Sequence, residues 1–179
     1  MKTIILLSLF SYLFVFNLTA QTNYYTHDKT FYEDGYTYQC DVEEGSQSVT
    51  LYNKNSKYIY VEQINRYTGE KLDPDKQSPL VDDSWTKPKC FAIVNNAFSP
   101  EEKKRIKGNK LIITIYIDPD NGKVADVEFM FVTFNPYATI PVSVYRKIET
   151  EIKKNIWFTV TPEGKKQNYI MLFWPQEPK

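Results

Sequence analysis

Residues 110–133 read KLIITIYIDPDNGKVADVEFMFVT, and the fold is decided by how this stretch is read. Leu111, Ile113, Ile115 and Ile117 are apolar at alternate positions and line one face of a strand. Ile112, Thr114 and Tyr116 give the other face a mixed character that suits partial cover. Asp118-Pro119-Asp120-Asn121-Gly122 then closes a hairpin, because proline presets φ and Asn-Gly accepts the positive φ of a tight turn. The return strand places Ala125, Val127, Phe129 and Phe131 on one face and Asp126 and Glu128 on the other. Two long strands with one apolar side each require a covering layer. This pattern predicts architecture and names no chemistry.

The cover follows in the chain. Val144, Ile148, Ile152 and Ile156 recur every fourth residue, and Tyr145 widens the stripe. Glu149 and Lys153 form an i,i+4 pair assigned to the wet side. Thr139 reads as the N-cap, with Pro141 tolerated in the first turn. The turn Thr161-Pro162-Glu163-Gly164 leads to a last strand from Asn168 to Trp174, ended by Pro175. Upstream, Ser99-Pro100-Glu101-Glu102 is a capping box with proline at the first helical position, and Gly108 stops that short helix. Phe91, Val94 and Phe98 fall at i, i+3 and i+7 and give a weaker signal for a helix beginning in residues 88–97.

From Tyr24 to Leu72 the texture is strand and turn. Runs at 29–33, 36–42, 47–52 and 57–64 are rich in aromatic and β-branched residues. Asp34-Gly35, Glu44-Gly45-Ser46 and 53–56 separate them. Such short connections predict a four-stranded antiparallel meander. Residues 73–89 carry Pro74, Pro79, Pro88, Asp73, Asp75, Asp82 and Asp83 with little periodicity, and Trp85 is the plug that ties this loop down. The expected fold class is therefore α+β. A β-rich lobe and its Pro/Asp-rich connection span residues 21–88, and a helix-on-sheet lobe spans 89–179.

The first twenty residues read as a processing signal. Lys2 supplies a positive start, residues 4–18 are mostly apolar, and cleavage is expected after Ala20. An uncleaved anchor is the alternative, but this run falls short of the ~20 residues that span a bilayer. No cysteine follows it to carry a lipid. The expectation is an exported chain with no membrane span once mature, placed in the periplasm, at the cell surface or outside the cell. Of 22 basic side chains one is Lys2, against 22 acidic ones, so the mature balance is near minus one and nucleic acid is not an expected partner. The basic runs at 103–107 and 153–154 each follow acids and read as solvated helix faces. Cys40 and Cys90 leave two readings open: a disulfide, which closing a loop of about 50 residues would make worth ~4 kcal/mol, or two separately buried thiols.

Few residues offer chemistry. His27 is the single histidine, which excludes a two-histidine zinc site and leaves any Ser-His-Asp or Cys-His engine dependent on it. The glycines form no phosphate loop, since Gly122-Lys123 and Gly164-Lys165 are followed by Val124 and Lys166. Asp118, Asp120, Asn121 and Gly122 mimic a calcium loop with its glycine one place early and Phe129 at the closing position. No catalytic residue, metal ligand or cofactor is expected. The acid pairs Glu43-Glu44 and Asp82-Asp83 keep a small secreted hydrolase as the third functional reading. Most of the fourteen tyrosines lie between Tyr24 and Tyr67. Tyr36 with Tyr38, and Tyr58 with Tyr60, would form a glycan platform if exposed, or sheet packing if not.

The order short helix, hairpin, helix, strand resembles the TonB C-terminal domain. It is carried by residues 110–117, the 118–122 turn, residues 124–131, the helix ending before Trp157-Phe158, the Pro162-Glu163-Gly164 turn and the strand from Tyr169 to Trp174. The whole chain, with Lys29-Thr30-Phe31-Tyr32, Tyr38-Gln39-Cys40-Asp41-Val42, Thr50-Leu51-Tyr52-Asn53-Lys54 and Ile140-Pro141-Val142, resembles a domain-of-unknown-function family of exported proteins of Gram-negative gut bacteria. The TonB resemblance implies a non-catalytic module that takes a protein or peptide of the cell envelope as an added strand. The matching edge is Asn168, Tyr169, Ile170, Met171, Leu172 and Phe173. Glycan binding by the tyrosine-rich sheet is the alternative.

Overall fold

The alternation in residues 110–133 yields two paired strands, and four more extend them into one sheet. A computed structural model describes residues 22–71 and 78–179. The expected leader with its predicted cleavage after Ala20, and residues 72–77 of the Pro/Asp-rich connection, lie outside the described residues. In chain order the elements are β1 (Lys29–Glu33), β2 (Tyr36–Glu43), β3 (Ser48–Asn53), α1 (Thr86–Ala97), α2 (Pro100–Ile106), β4 (Leu111–Ile117), β5 (Val124–Val132), α3 (Val142–Asn155) and β6 (Ile170–Gln176). Short 3-10 turns occupy Pro136–Thr139 and Gly164–Lys166. The sheet order is β1-β2-β3-β5-β4-β6, antiparallel throughout. The fold is α+β, with helices on one face of a six-stranded sheet.

The central turn forms as its residues dictate. Asp118 Oδ1 accepts from the Asp120 amide at 2.8 Å, Gly122 donates to the Asp118 carbonyl at 2.8 Å, and Gly122 sits at φ 71°. A register shift between Tyr116 and Ile117 pairs Ile117 with Val124, so Ala125 is an inserted bulge residue and leaves the face of Val127 and Phe129.

The meander's first three strands lie where the sequence places them, but residues 57–64 are not a strand. The reason is competition for an edge: β5 already pairs with the outer side of β3, Leu51 opposite Phe129. The displaced segment crosses the sheet's open face instead. The Lys57 amide donates to Asp126 Oδ2 at 2.7 Å, and Tyr60 takes a left-handed φ of 60°. The same β3–β5 pairing joins the meander and the hairpin into one sheet with one core.

α3 covers that sheet with Val144, Tyr145, Ile148 and Ile152 all buried. Tyr145 stacks on Phe131 with ring centroids 5.5 Å apart and leans on Phe129 at 5.1 Å. The helix starts later than its pattern predicts. Ile140 precedes a proline and is held extended (φ −90°, ψ 128°), so Pro141 becomes the N-cap and Thr139 closes the 3-10 turn. α2 carries the full capping box: Ser99 accepts from the Glu102 amide, and Glu102 Oε2 accepts from the Ser99 amide at 2.7 Å.

Two expectations change once the sheet is six strands wide. Glu149 is not on a wet face. It is 2% exposed and accepts from the Tyr38 hydroxyl, from Asn53 Nδ2 at 3.5 Å and from Lys153 Nζ at 3.4 Å. β2 and β3 extend beneath the flank of α3 that a bare hairpin would leave open. Cys40 on β2 and Cys90 on α1 are both free and buried, and burial pushes each thiol up to about 12. Of the two readings left open, the protein shows the separately buried pair and not the Cys40–Cys90 bridge. Thermal melts with and without dithiothreitol are expected to coincide, and at pH 8 both thiols should resist a thiol reagent until denaturant opens the core.

Candidate functional site

β6 ends the sheet, with one side bonded to β4 from Ile117–Ile170 to Leu111–Gln176. Pro175 has no amide hydrogen and is accommodated where its nitrogen points away from β4. Alternate residues share that direction, so the amides and carbonyls of Met171 and Phe173 point outward too. Tyr169 confirms the alternation, since its carbonyl accepts from Gln63 Nε2 at 2.9 Å on that outer side.

The predicted edge is therefore divided. Asn168 and Tyr169 are engaged by the segment that crosses the open face. The Asn168 amide donates to the Ile64 carbonyl at 3.0 Å, Asn168 Nδ2 to the Glu62 carbonyl at 2.9 Å, and the Tyr169 hydroxyl to the Val61 carbonyl at 2.6 Å. Ile170, Met171, Leu172 and Phe173 lie in β6 itself. Among the described residues no main-chain group bonds the outer side of residues 171–175, so the open stretch sits two to three residues nearer the C-terminus than the sequence indicates.

A groove of about 600 Å³ runs along this edge, between β6, the start of α1 and residues 78–83. Its apolar walls are Leu80, Phe91, Phe158, Leu172 and Trp174, with Met171 and Phe173 at the lip. The far wall is stitched in place. The Thr161 amide donates to the Pro79 carbonyl at 3.0 Å, the Val81 amide to the Thr159 carbonyl at 2.9 Å, and the Thr159 amide to Asp83 Oδ2 at 2.9 Å. Gly164 permits that closeness, because a Cβ there would stand 2.2 Å from the Pro79 carbonyl oxygen. Trp85 packs 4.4 Å from Trp157 and anchors the start of α1, as its role as a plug predicts. Phe91 meets Trp174 edge-on at 5.2 Å, and its carbonyl accepts from Gln176 Nε2 at 3.1 Å. Phe173 is 58% exposed and Phe91 37%, so the groove shows apolar surface to solvent.

Other sequence-marked residues do not assemble. Asp82 and Asp83 rim the groove, but Asp83 holds Thr159 and leaves Asp82 alone in solvent. Glu43-Glu44 stands at the β2–β3 turn, where Glu43 accepts from Ser46 Oγ at 2.5 Å. His27 is exposed, and its Nδ1 lies 2.9 Å from Thr26 Oγ1. Neither tyrosine pair makes a flat platform. Tyr38 is fully buried, while Arg146 covers Tyr36 at 4.3 Å. Tyr58 packs on Tyr169 at 4.9 Å, whereas Tyr60 turns edge-on to Tyr52. On the open face Tyr52 and Tyr60 both donate to Asp41 Oδ2 at 2.8 Å, and Tyr116 donates to Glu128 Oε2 at 2.7 Å. Burial raises the Glu128 carboxyl above its ordinary range, against the lowering effect of the Tyr116 hydrogen bond. Among the described residues no cluster of three His, Cys, Asp or Glu side chains is placed to hold a metal, and no helix is long and apolar enough to cross a membrane.

A family model described as "Domain of unknown function (DUF5043)" matches residues 21–174. The chain belongs to the DUF5043 family. A crystal structure of a DUF5043 family protein from Bacteroides uniformis is similar to it at 42% identity and a TM-score of 0.85, covering 88% of this chain and 89% of that one. No curated protein matches. In this DUF5043 chain Leu80, Phe91 and Phe158 are groove residues that the sequence reading did not assign to a site. Leu80 lies in an aperiodic stretch and Phe158 follows a helix end, so neither carries a pattern that sets it apart from core. Phe91 was visible only as a weak helical repeat.

Proposed function

We propose that this DUF5043 protein binds an extended peptide segment of another protein as a further strand on β6, with alternate side chains of the segment entering the groove beside α1. One observation carries the reading. An open edge of the sheet and an apolar groove coincide, and a helix flanks them, the arrangement in which main-chain bonding supplies affinity and side-chain pockets supply selectivity. The second half keeps the order α2, β4–β5 hairpin, α3, β6, in line with the TonB-like resemblance and its strand-adding mode. The preferred peptide is apolar at alternate positions, to meet Phe91, Phe158, Leu172 and Trp174. The role is non-catalytic, and the leader at residues 1–20 supports a location outside the cytoplasm, in the periplasm or at the cell surface.

The test is selection of peptides from a displayed random library on the purified protein. Phe173→Pro then removes one outward amide while leaving the bonds to β4 intact. Selected peptides are expected to weaken at least about tenfold on this variant, the scale of an interaction lost from an interface centre. Peptides that bind wild type and variant alike would sink the reading.

A further inference from the structure

The opposite end of the sheet carries a second open edge, β1, and its sequence is complementary to itself. Asp34 and Gly35 close the β1–β2 hairpin with φ values of 42° and 79°, the two positive φ values of a type I′ turn. In such a turn the flanking pair, Glu33 with Tyr36, is hydrogen-bonded, so bonding to β2 alternates through Phe31 and Lys29. Two contacts outside the β1–β2 ladder agree. The Thr37 carbonyl points to the far side and accepts from the Lys54 amide at 2.8 Å, while the Val42 amide points toward β1 and donates to Asp28 Oδ1 at 2.7 Å. The amides and carbonyls of Thr30 and Tyr32 therefore face outward. Among the described residues nothing bonds them, and Tyr32 is 81% exposed.

We infer that β1 pairs antiparallel with β1 of a second copy about a two-fold axis through Phe31, making one continuous sheet with a β6 groove at each end. In that register Thr30 of one copy faces Tyr32 of the other, and the two exchange amide and carbonyl in both symmetric positions. Lys29 stands opposite Glu33 of the second copy on one face, an attractive pair made twice by the symmetry. Lys29 Nζ already lies over its own Phe31 ring at 4.8 Å, at the centre of the proposed contact. The next pair outward sets Asp28 against Asp34, both acidic. That repulsion is blunted, since Asp34 is held by Arg146 at 3.0 Å and Asp28 by the Val42 amide. No comparable complementarity exists at β6, whose seven residues carry no charge. The contact is short, so the dimer is concentration-dependent and not obligate.

Sedimentation of the protein, expressed from its full coding sequence, over a wide concentration range tests this. The mass is expected to rise toward twice the monomer. Tyr32→Pro removes an amide that β2 does not use, and should hold the protein monomeric with its cooperative melt retained. Lys29→Glu and Glu33→Lys should each weaken association at least about tenfold, while the double exchange restores it, because each swapped pair is again attractive. Should Tyr32→Pro fold poorly, the charge exchange decides alone. A monomer at every concentration, a dimer lost in Phe173→Pro but not in Tyr32→Pro, or a double exchange without rescue would overturn the inference. Only the second of these outcomes involves β6, since it would place the contact between copies there. The others leave peptide capture untouched, and peptide binding to Phe173→Pro reads that separately.

Discussion

Ile148→Asp is expected to destabilise the protein by more than about 4 kcal/mol, a large fraction of its total stability. Ile148 is fully buried at the middle of α3, a helix packed against both β5 and α1. Its place in the stripe is fixed one turn either side by Val144 and Ile152, both inside. An aspartate there has no route to water by a rotamer change, and the nearby carboxylate of Glu149 already takes the donors at hand, Tyr38, Asn53 and Lys153. The new group must either ionise without a partner or carry a proton at neutral pH. Both options cost far more than the lost methyl groups, and total stability for a domain of this size is only ~5–15 kcal/mol. Ile148→Val, which removes one methylene, should cost about 1 kcal/mol. Urea titration followed by circular dichroism separates the two. A midpoint for Ile148→Asp within experimental scatter of wild type would show that α3 does not lie on the sheet as described.

Where the sequence was legible, it was so because a period met a single environment. The isoleucines of β4, the capping box before α2 and the every-fourth-residue stripe of α3 each carry their own local instruction, and each element formed. Failures came where a neighbour distant in sequence decided the outcome. Residues 57–64 are rich enough in aromatic and β-branched residues for a strand, but β5 holds the edge they would need. Glu149 reads as a solvated partner of Lys153, yet β2 places Tyr38 beneath it. The groove was half legible. β6 and its outward edge followed from the terminal strand and from resemblance, while the walls at Leu80 and Phe158 depend on chain crossings that no period encodes. The occupied first part of the edge, Asn168 and Tyr169, was hidden for the same reason, since residues 61–64 cover it only because they were displaced from the sheet.

Gly122→Ala is expected to destabilise the protein by about 3 kcal/mol or more, well beyond the ~1 kcal/mol of an ordinary glycine change. Two independent constraints meet at this residue. Its φ of 71° lies in the left-handed region, which any side chain disfavours. A Cβ added there would also stand 2.0 Å from the carbonyl oxygen of Phe158 and 3.1 Å from that residue's carbonyl carbon. The obstacle is main chain, which cannot swing aside as a side-chain tip can. The approach exists because the Phe158 amide donates to the Gly122 carbonyl at 2.8 Å, while Lys123 and Trp157 form a β-bridge beside it. The hairpin turn is thereby docked against the chain just after α3. Relieving the clash must push residues 157–158 away, and Phe158 lines the groove while Trp157 stacks on Trp85. Gly122→Ala should therefore do more than lower the melting temperature: it should also weaken any peptide selected on β6, although the substitution lies outside the groove. Gly45→Ala supplies the control, since a Cβ there meets nothing within 4 Å. It should change neither property by more than a few tenths of a kcal/mol. Equal behaviour of the two variants in melting and in peptide binding would mean that the turn and the 157–158 segment are not in contact.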